Sequence, residues 1–183
     1  MRPIYGPDPY EIYQWQEDWK DFAWDIDLEN GESDHWEWFS KALQVGQDVE
    51  SLLVALADDV DDRCHGLMKL VWPKDSRLAP GRPSLYVDYL EIAPWNRKDY
   101  PRRREYTGLG LAMMRHAAQI SDELGFAGRL TLCSLPQAEA FYRKIPMSEL
   151  GVGEGHDDHL AFFELDAATA MEFIKEFEIR SIR

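Results

Sequence analysis

The chain has 183 residues, 45% of them hydrophobic and 30% charged, with a formal net charge of −14 at pH 7. At roughly 100 to 200 residues per domain this length predicts one domain, which at this size buries about 70% of its unfolded surface and needs neither disulfides nor a structural metal. The composition excludes a disordered or collagen-like chain, and the charge opposes non-specific association with DNA, RNA or an anionic bilayer. Cys64 and Cys133 stand in no metal-ligand spacing and predict free thiols. No signal-like segment opens the chain and no apolar run approaches about 20 residues, so a cytoplasmic protein without a membrane partner is expected.

Met1 to Asp62 holds 17 of the 34 acidic residues against Arg2, Lys20 and Lys41. Within it, Ile12, Trp15, Trp19 and Phe22 recur at three- and four-residue steps, which predicts an amphipathic helix over Glu11 to Ala23. Asn30-Gly31 breaks the pattern, and Trp36, Phe39 and Leu43 predict a second helix. Leu52 to Ala57 and Cys64 to Trp72, the latter stopped by Pro73, read as an antiparallel hairpin. Leu85 to Ile92 is a third strand ended by Pro94. Leu111, Met114, Ala117, Ala118, Ile120 and Leu124 then fit a helix starting at Gly108 and closed by Gly125. Arg129 to Leu135 is a strand, and Pro136 opens a helix over Gln137 to Lys144 that stops before Pro146. A strand at Leu160 to Leu165 and a helix at Ala167 to Phe177, marked by Met171, Ile174 and Phe177, complete the pattern. The order predicts an α/β domain (α+β type) with a mixed sheet.

The stretch after the Leu85 strand carries Arg97, Lys98, Arg102, Arg103 and Arg104 and reaches Thr107-Gly108-Leu109-Gly110 at a helix start. Free amides at a helix N-terminus, the helix dipole and closely approaching glycines suit a phosphate, and arginines add charge-assisted contacts. The alternative is a tight turn beside a solvated basic face. A dinucleotide fingerprint is disfavoured because its third glycine would fall at Met113, and a P-loop because no Gly-Lys-Ser/Thr follows.

Together, Leu90-x-Ile92-x-Pro94, Gly108-x-Gly110 and Ala138-x-x-Phe141-Tyr142-Arg143-Lys144 resemble the GNAT superfamily of acyl-CoA-dependent N-acetyltransferases over about Leu52 to Leu165. The resemblance implies one domain over 1–183: an acidic, Trp-rich helical region over 1–50, a core over 51–165 and a C-terminal helix over 166–183. It implies a central mixed, mostly antiparallel sheet flanked by helices, with Leu85–Ala93 and Arg129–Leu135 as a splayed parallel pair. Acetyl-CoA is the implied cosubstrate, with no metal. The family's Q/R-x-x-G-x-G/A loop would place amides of Tyr106, Thr107, Gly108, Leu109, Gly110 and Leu111 around the diphosphate. Glu105 stands where Gln or Arg is usual, so Arg103 or Arg104 would supply the positive charge, and about eight residues are inserted before the loop. The backbone at Leu90 and Ile92 would hold the pantetheine and polarise the thioester carbonyl.

The implied reaction is direct attack of a primary amine on the thioester in a ternary complex. An alkyl ammonium, with a pKa near 10.4, must first lose a proton, and Asp88 or Glu91 is the matching base. Tyr142 matches the family's proton donor to the departing thiolate, although Leu135 and Ile145-Pro146-Met147 depart from the usual pattern. The acceptor is read as a cationic small molecule or a lysine-bearing peptide rather than a nucleic acid, and a homodimer is compatible with the resemblance. A non-catalytic CoA-binding sensor or interaction protein is the alternative, and a different nucleotide-binding protein a further one. Trp15, Trp19, Trp24, Trp36 and Trp38 among carboxylates offer a cation pocket or plain core. His156-Asp157-Asp158-His159 reads as a solvated loop, His116 as structural and Cys133 as a buried thiol.

Overall fold

In the computed structural model the described residues are 1–25, 36–45, 50–98, 103–175 and 180–181. They form β1 (Arg2–Tyr5), α1 (Pro9–Asp25), α2 (Trp38–Gln44), β2 (Glu50–Ala57), β3 (Cys64–Asp75), β4 (Pro83–Ile92), β5 (Tyr106–Thr107), α3 (Leu109–Glu123), β6 (Leu130–Ser134), α4 (Pro136–Tyr142), β7 (Ser148–Val152), β8 (Ala161–Leu165), α5 (Ala167–Lys175) and β9 (Arg180–Ser181). A seven-stranded sheet has the order β1-β2-β3-β4-β6-β8-β7, and β5 pairs with β9 in a separate two-stranded sheet. The sheet is mostly antiparallel with one parallel pair, β4 and β6. Two compact units divide the chain: Met1–Lys69, Tyr89–Met113 and Glu178–Arg183 make the first, Leu70–Asp88 and Met114–Phe177 the second.

In the first unit, α1 buries Ile12 and Trp19 of the expected stripe and, in place of Trp15, the unexpected Gln16, with Trp15 and Phe22 half-buried at its margins. Gln16 is the one polar member, and it is used: its Oε1 accepts the Phe39 N–H at 3.1 Å, one of the orphan donors of the first turn of α2, while its Nε2 donates to Glu37 at 2.9 Å. α2 buries Trp38 and Ala42, not the expected Trp36 and Leu43, because its start at Trp38 turns Leu43 to solvent. Asn30-Gly31 lies outside the described residues. Trp95 closes this core, edge to face with Trp19 and Phe22.

β1 was not expected. Four residues including Pro3 carry no strand signal, and a proline is tolerated there because β1 is an edge whose outer side needs no donor. β3 runs past its expected stop at Pro73 to Asp75, since a proline removes one N–H and leaves its carbonyl available to the ladder.

In the second unit, β6 pairs antiparallel with β8 from Leu130↔Leu165 to Ser134↔Ala161. β7, the opposite edge, is a second unforeseen strand: Ser148–Val152 alternates poorly and stays mostly exposed. Leu85, Leu130, Leu132, Phe163 and Leu165 are fully or nearly fully buried, each contributing about 1.5–3 kcal/mol on transfer from water. α3 ends as expected at Gly125 (φ +81°), where the N–H groups of Phe126 and Gly125 return to the carbonyls of Ser121 and Asp122. α5 buries Ala170 and Phe173, whereas Met171 is exposed and Phe177 lies outside the described residues.

Asp166 caps α5, its Oδ1 accepting the amides of Ala168 (2.9 Å) and Thr169 (3.0 Å) and its Oδ2 the Thr169 hydroxyl. These bonds, the Thr169 amide foremost, hold its carboxyl below the ordinary range. The stabilisation is therefore present above the unfolded-state pKa and is lost as pH falls through the lower folded value. Asp166→Ala should cost about 1 kcal/mol at neutral pH and less in acid, measured by urea unfolding at both pH values.

Candidate active site

In the first unit, β5 leads into α3 through Gly108, whose φ of +78° favours glycine and beside which an added Cβ would meet nothing within 4 Å. The first helical bond runs from Ala112 N–H to Gly108 O at 2.9 Å, so the amides of Leu109, Gly110 and Leu111 precede the helical ladder and point out of the positive end of a 15-residue helix. Backbone donors and open space fit a diphosphate. The amide of Tyr106 does not join this cradle, contrary to expectation: it donates to Asn96 Oδ1 at 2.8 Å. Thr107 is paired with Arg180 on β9, so the cradle begins at Gly108.

The departure at Glu105 is accommodated by its neighbours. Its carboxylate takes Arg63 Nη1 at 2.7 Å, and the Arg63 guanidinium lies 3.8 Å over the Trp95 ring. Both partners are more than a third exposed, so the pair is worth only about 0–1 kcal/mol, but it neutralises the misplaced charge. A cavity of about 400 Å³ beside it is lined by Asp58, His65, Arg103, Arg104, Glu105 and Tyr106. Arg102 lies outside the described residues. The Tyr106 hydroxyl donates to Asp58 Oδ2 at 2.7 Å and, with the Val60 amide, lowers the Asp58 pKa. His65 Nδ1 accepts from Trp95 Nε1 at 3.0 Å, which assigns the proton to Nε2, and burial keeps the ring neutral by lowering its pKa. No sequence signal marked this His65–Trp95–Asn96–Tyr106 network.

Ala93 N–H donates to His65 O at 3.0 Å. At the other end of β4 the Leu85 N–H donates to Arg129 O at 3.1 Å, toward β6. In the second unit the paired register of β4 with β6 comprises Leu85↔Leu130 and Tyr86↔Thr131, and Val87 and Asp88 continue β4 beyond that register.

Tyr89 and Glu91 share the other face of β4 from Asp88, Leu90 and Ile92. Trp38 Nε1 donates to Glu91 Oε2 at 2.5 Å. Glu91, Trp36, Trp38, Gln16, Lys20 and Pro94 line a small cavity of about 60 Å³. Tyr89 extends this aromatic wall, edge to face with Trp36 at 4.8 Å, and the Lys41 ammonium sits 3.4 Å from the Tyr89 ring centre. Trp19 and Trp38 therefore serve core and cavity at once, and the side chain of Trp24 lies outside the described residues. Of the two expected bases, Glu91 stands in this aromatic setting and Asp88, half-buried, belongs to the second unit.

The second unit also carries Tyr142, the last residue of α4 and 7% exposed, between Phe141 (5.0 Å) and Phe163 (5.6 Å). Burial alone pushes its phenol above the ordinary range, so the hydroxyl stays protonated. Cys133 is half-buried against Gly153, and burial raises its thiol; burial pushes Cys64 up to about 12. His116 bonds Gln119, and His159 lies exposed beside Asp158. Among the described residues no cluster of three or more His, Cys, Asp and Glu could hold a metal, and no helix is long and apolar enough to cross a membrane.

No sequence-family model matches the chain, and no curated protein matches it. Solved structures do. The PaiA N-acetyltransferase from Thermoplasma acidophilum in complex with coenzyme A is 13% identical, with 90% of this chain and 98% of that one covered at a TM-score of 0.56. A mutant AtaT toxin bound to the C-terminus of its antitoxin AtaR and acetyl-CoA is 16% identical over 82% and 90%, at 0.52. The KacTA–DNA complex is 19% identical over 93% and 96%, at 0.55. That complex contains DNA. The sheet order, the parallel β4–β6 pair and these likenesses agree: the chain has the fold of the GNAT acetyltransferases.

Proposed function

We propose that the chain is an acetyl-CoA-dependent N-acetyltransferase acting on a primary amine, both units belonging to one GNAT-like domain. The observation that carries this reading is the cradle at Gly108–Leu111, a positive-φ glycine leading into a long helix with free amides, preceded by Arg103 and Arg104. It is supported by two structures of the same fold that hold coenzyme A and acetyl-CoA.

Acetyl-CoA supplies an activated acetyl group as a thioester. Amides of Leu109, Gly110 and Leu111 and the arginine charges bind its diphosphate. The backbone at Leu90 and Ile92 holds the pantetheine arm and the thioester oxygen, where donors aimed at developing charge lower the barrier. Glu91 Oε takes the proton from the acceptor ammonium, and the Trp38 N–H orients that carboxylate. Tyr142 Oη gives its proton to the departing sulfur, charge that arises only as the C–S bond breaks.

The reading is tested by calorimetry with CoA and by thiol release from acetyl-CoA against a panel of primary amines. Binding with amine-dependent release is expected. Binding without release to any amine would favour a CoA sensor, and no binding would overturn the assignment.

A further inference from the structure

The aromatic wall beside Glu91 already holds an amine. Lys41, on α2, places its ammonium 3.4 Å from the centre of the Tyr89 ring and 5.8 Å from that of Trp36. Trp36 lines the cavity that contains Glu91, and Trp38 touches both Tyr89, at 6.3 Å between ring centres, and the Glu91 carboxylate. Tyr89 and Glu91 lie two residues apart on one strand face, a separation of roughly 7 Å, which the flexible four-carbon stem of a lysine can traverse. A primary amine, an aromatic cradle for its charged form and a carboxylate able to take its proton are thus assembled by α2 and β4 within one unit.

From this juxtaposition we infer that Lys41 is a self-acetylation site of the chain. The inference rests on the acetyltransferase reading and deepens it by naming one substrate. In the step, the Lys41 ammonium loses a proton to Glu91, its Nζ attacks the acetyl carbonyl, the N–C bond forms and the C–S bond breaks. The nitrogen sheds its second proton, the CoA sulfur leaves with one, and one proton is released net. The product is a neutral acetamide, so the attraction between Lys41 and the Tyr89 face ends. Acetylation therefore clears the aromatic wall of its resident cation and opens it to an external one.

The test incubates the full chain with acetyl-CoA and maps acetyl groups by peptide mass spectrometry. Lys41 is expected to be acetylated at least about tenfold faster than Lys175 on α5, with a first-order rate unchanged on dilution of the protein, as for a tethered reactant. Tyr89→Leu and Tyr142→Phe should each slow Lys41 and leave Lys175 unaffected, so that misfolding of one variant does not remove the test. An N-hydroxysuccinimide acetate, which needs no cofactor site, should show no such preference. Equal labelling of the lysines, a Lys41 rate that falls on dilution, or the same ranking with the ester overturns the inference. If amines on the panel are turned over while Lys41 stays unmodified, self-acetylation fails and the acetyltransferase reading stands. If CoA does not bind, that reading fails first.

Discussion

Tyr142→Phe should lower the rate constant for acetyl transfer by about a hundredfold or more, the usual contribution of a positioned proton donor, while leaving CoA affinity within about twofold. The substitution is a clean probe because burial alone perturbs this phenol, between Phe141 and Phe163. Removing a hydroxyl whose pKa reflects no bonded partner should change unfolding stability by less than about 1 kcal/mol. A purely structural tyrosine gives a different pattern, with turnover unchanged. Steady-state kinetics, calorimetry and urea unfolding on the same preparation separate the two, and an unaltered kcat removes Tyr142 from the mechanism.

Glu164→Ala should be the most destabilising single change in the second unit, costing about 3–5 kcal/mol because three donors lose their acceptor at about 1–3 kcal/mol each before relaxation. Glu164 sits on β8 with no exposed surface. Its carboxylate accepts the Ser76 hydroxyl, the Arg77 amide at 2.8 Å and the Leu78 amide at 3.2 Å, and so organises the turn that follows β3. Glu164→Gln keeps one carbonyl oxygen and should cost about half as much, since an amide accepts but also brings donors that need partners. Chemical unfolding followed by far-UV circular dichroism measures both. A loss below about 1 kcal/mol for the alanine variant would mean that water replaces the carboxylate.

Helices and interior strands were largely legible in the sequence because their signals are local. The recurrence of Ile12, Trp15, Trp19 and Phe22 at three- and four-residue steps predicts α1, and Gly125 predicts the end of α3 from the one backbone conformation that closes it. The apolar runs at Leu52, Cys64, Leu85 and Arg129 mark strands that the sheet buries. Edge strands β1 and β7 were not legible, since an edge needs neither alternation nor freedom from proline. In α2 the register was misjudged because several aromatic residues compete for one stripe and the helix start decides among them.

The amino-acid sequence by itself determined that a basic loop reaches a Gly-x-Gly helix start after a strand, and that a tyrosine lies on the short helix behind Pro136. Those features depend on neighbours along the chain. Tertiary structure alone decided that the Tyr106 amide is taken by Asn96, that Glu105 is neutralised by Arg63, and that Glu91 stands among tryptophans with Lys41 over the adjoining tyrosine. Each of these joins residues from different elements. Their chemistry is set by which donor, charge or ring lies opposite, and that is fixed only when the strands and helices pack.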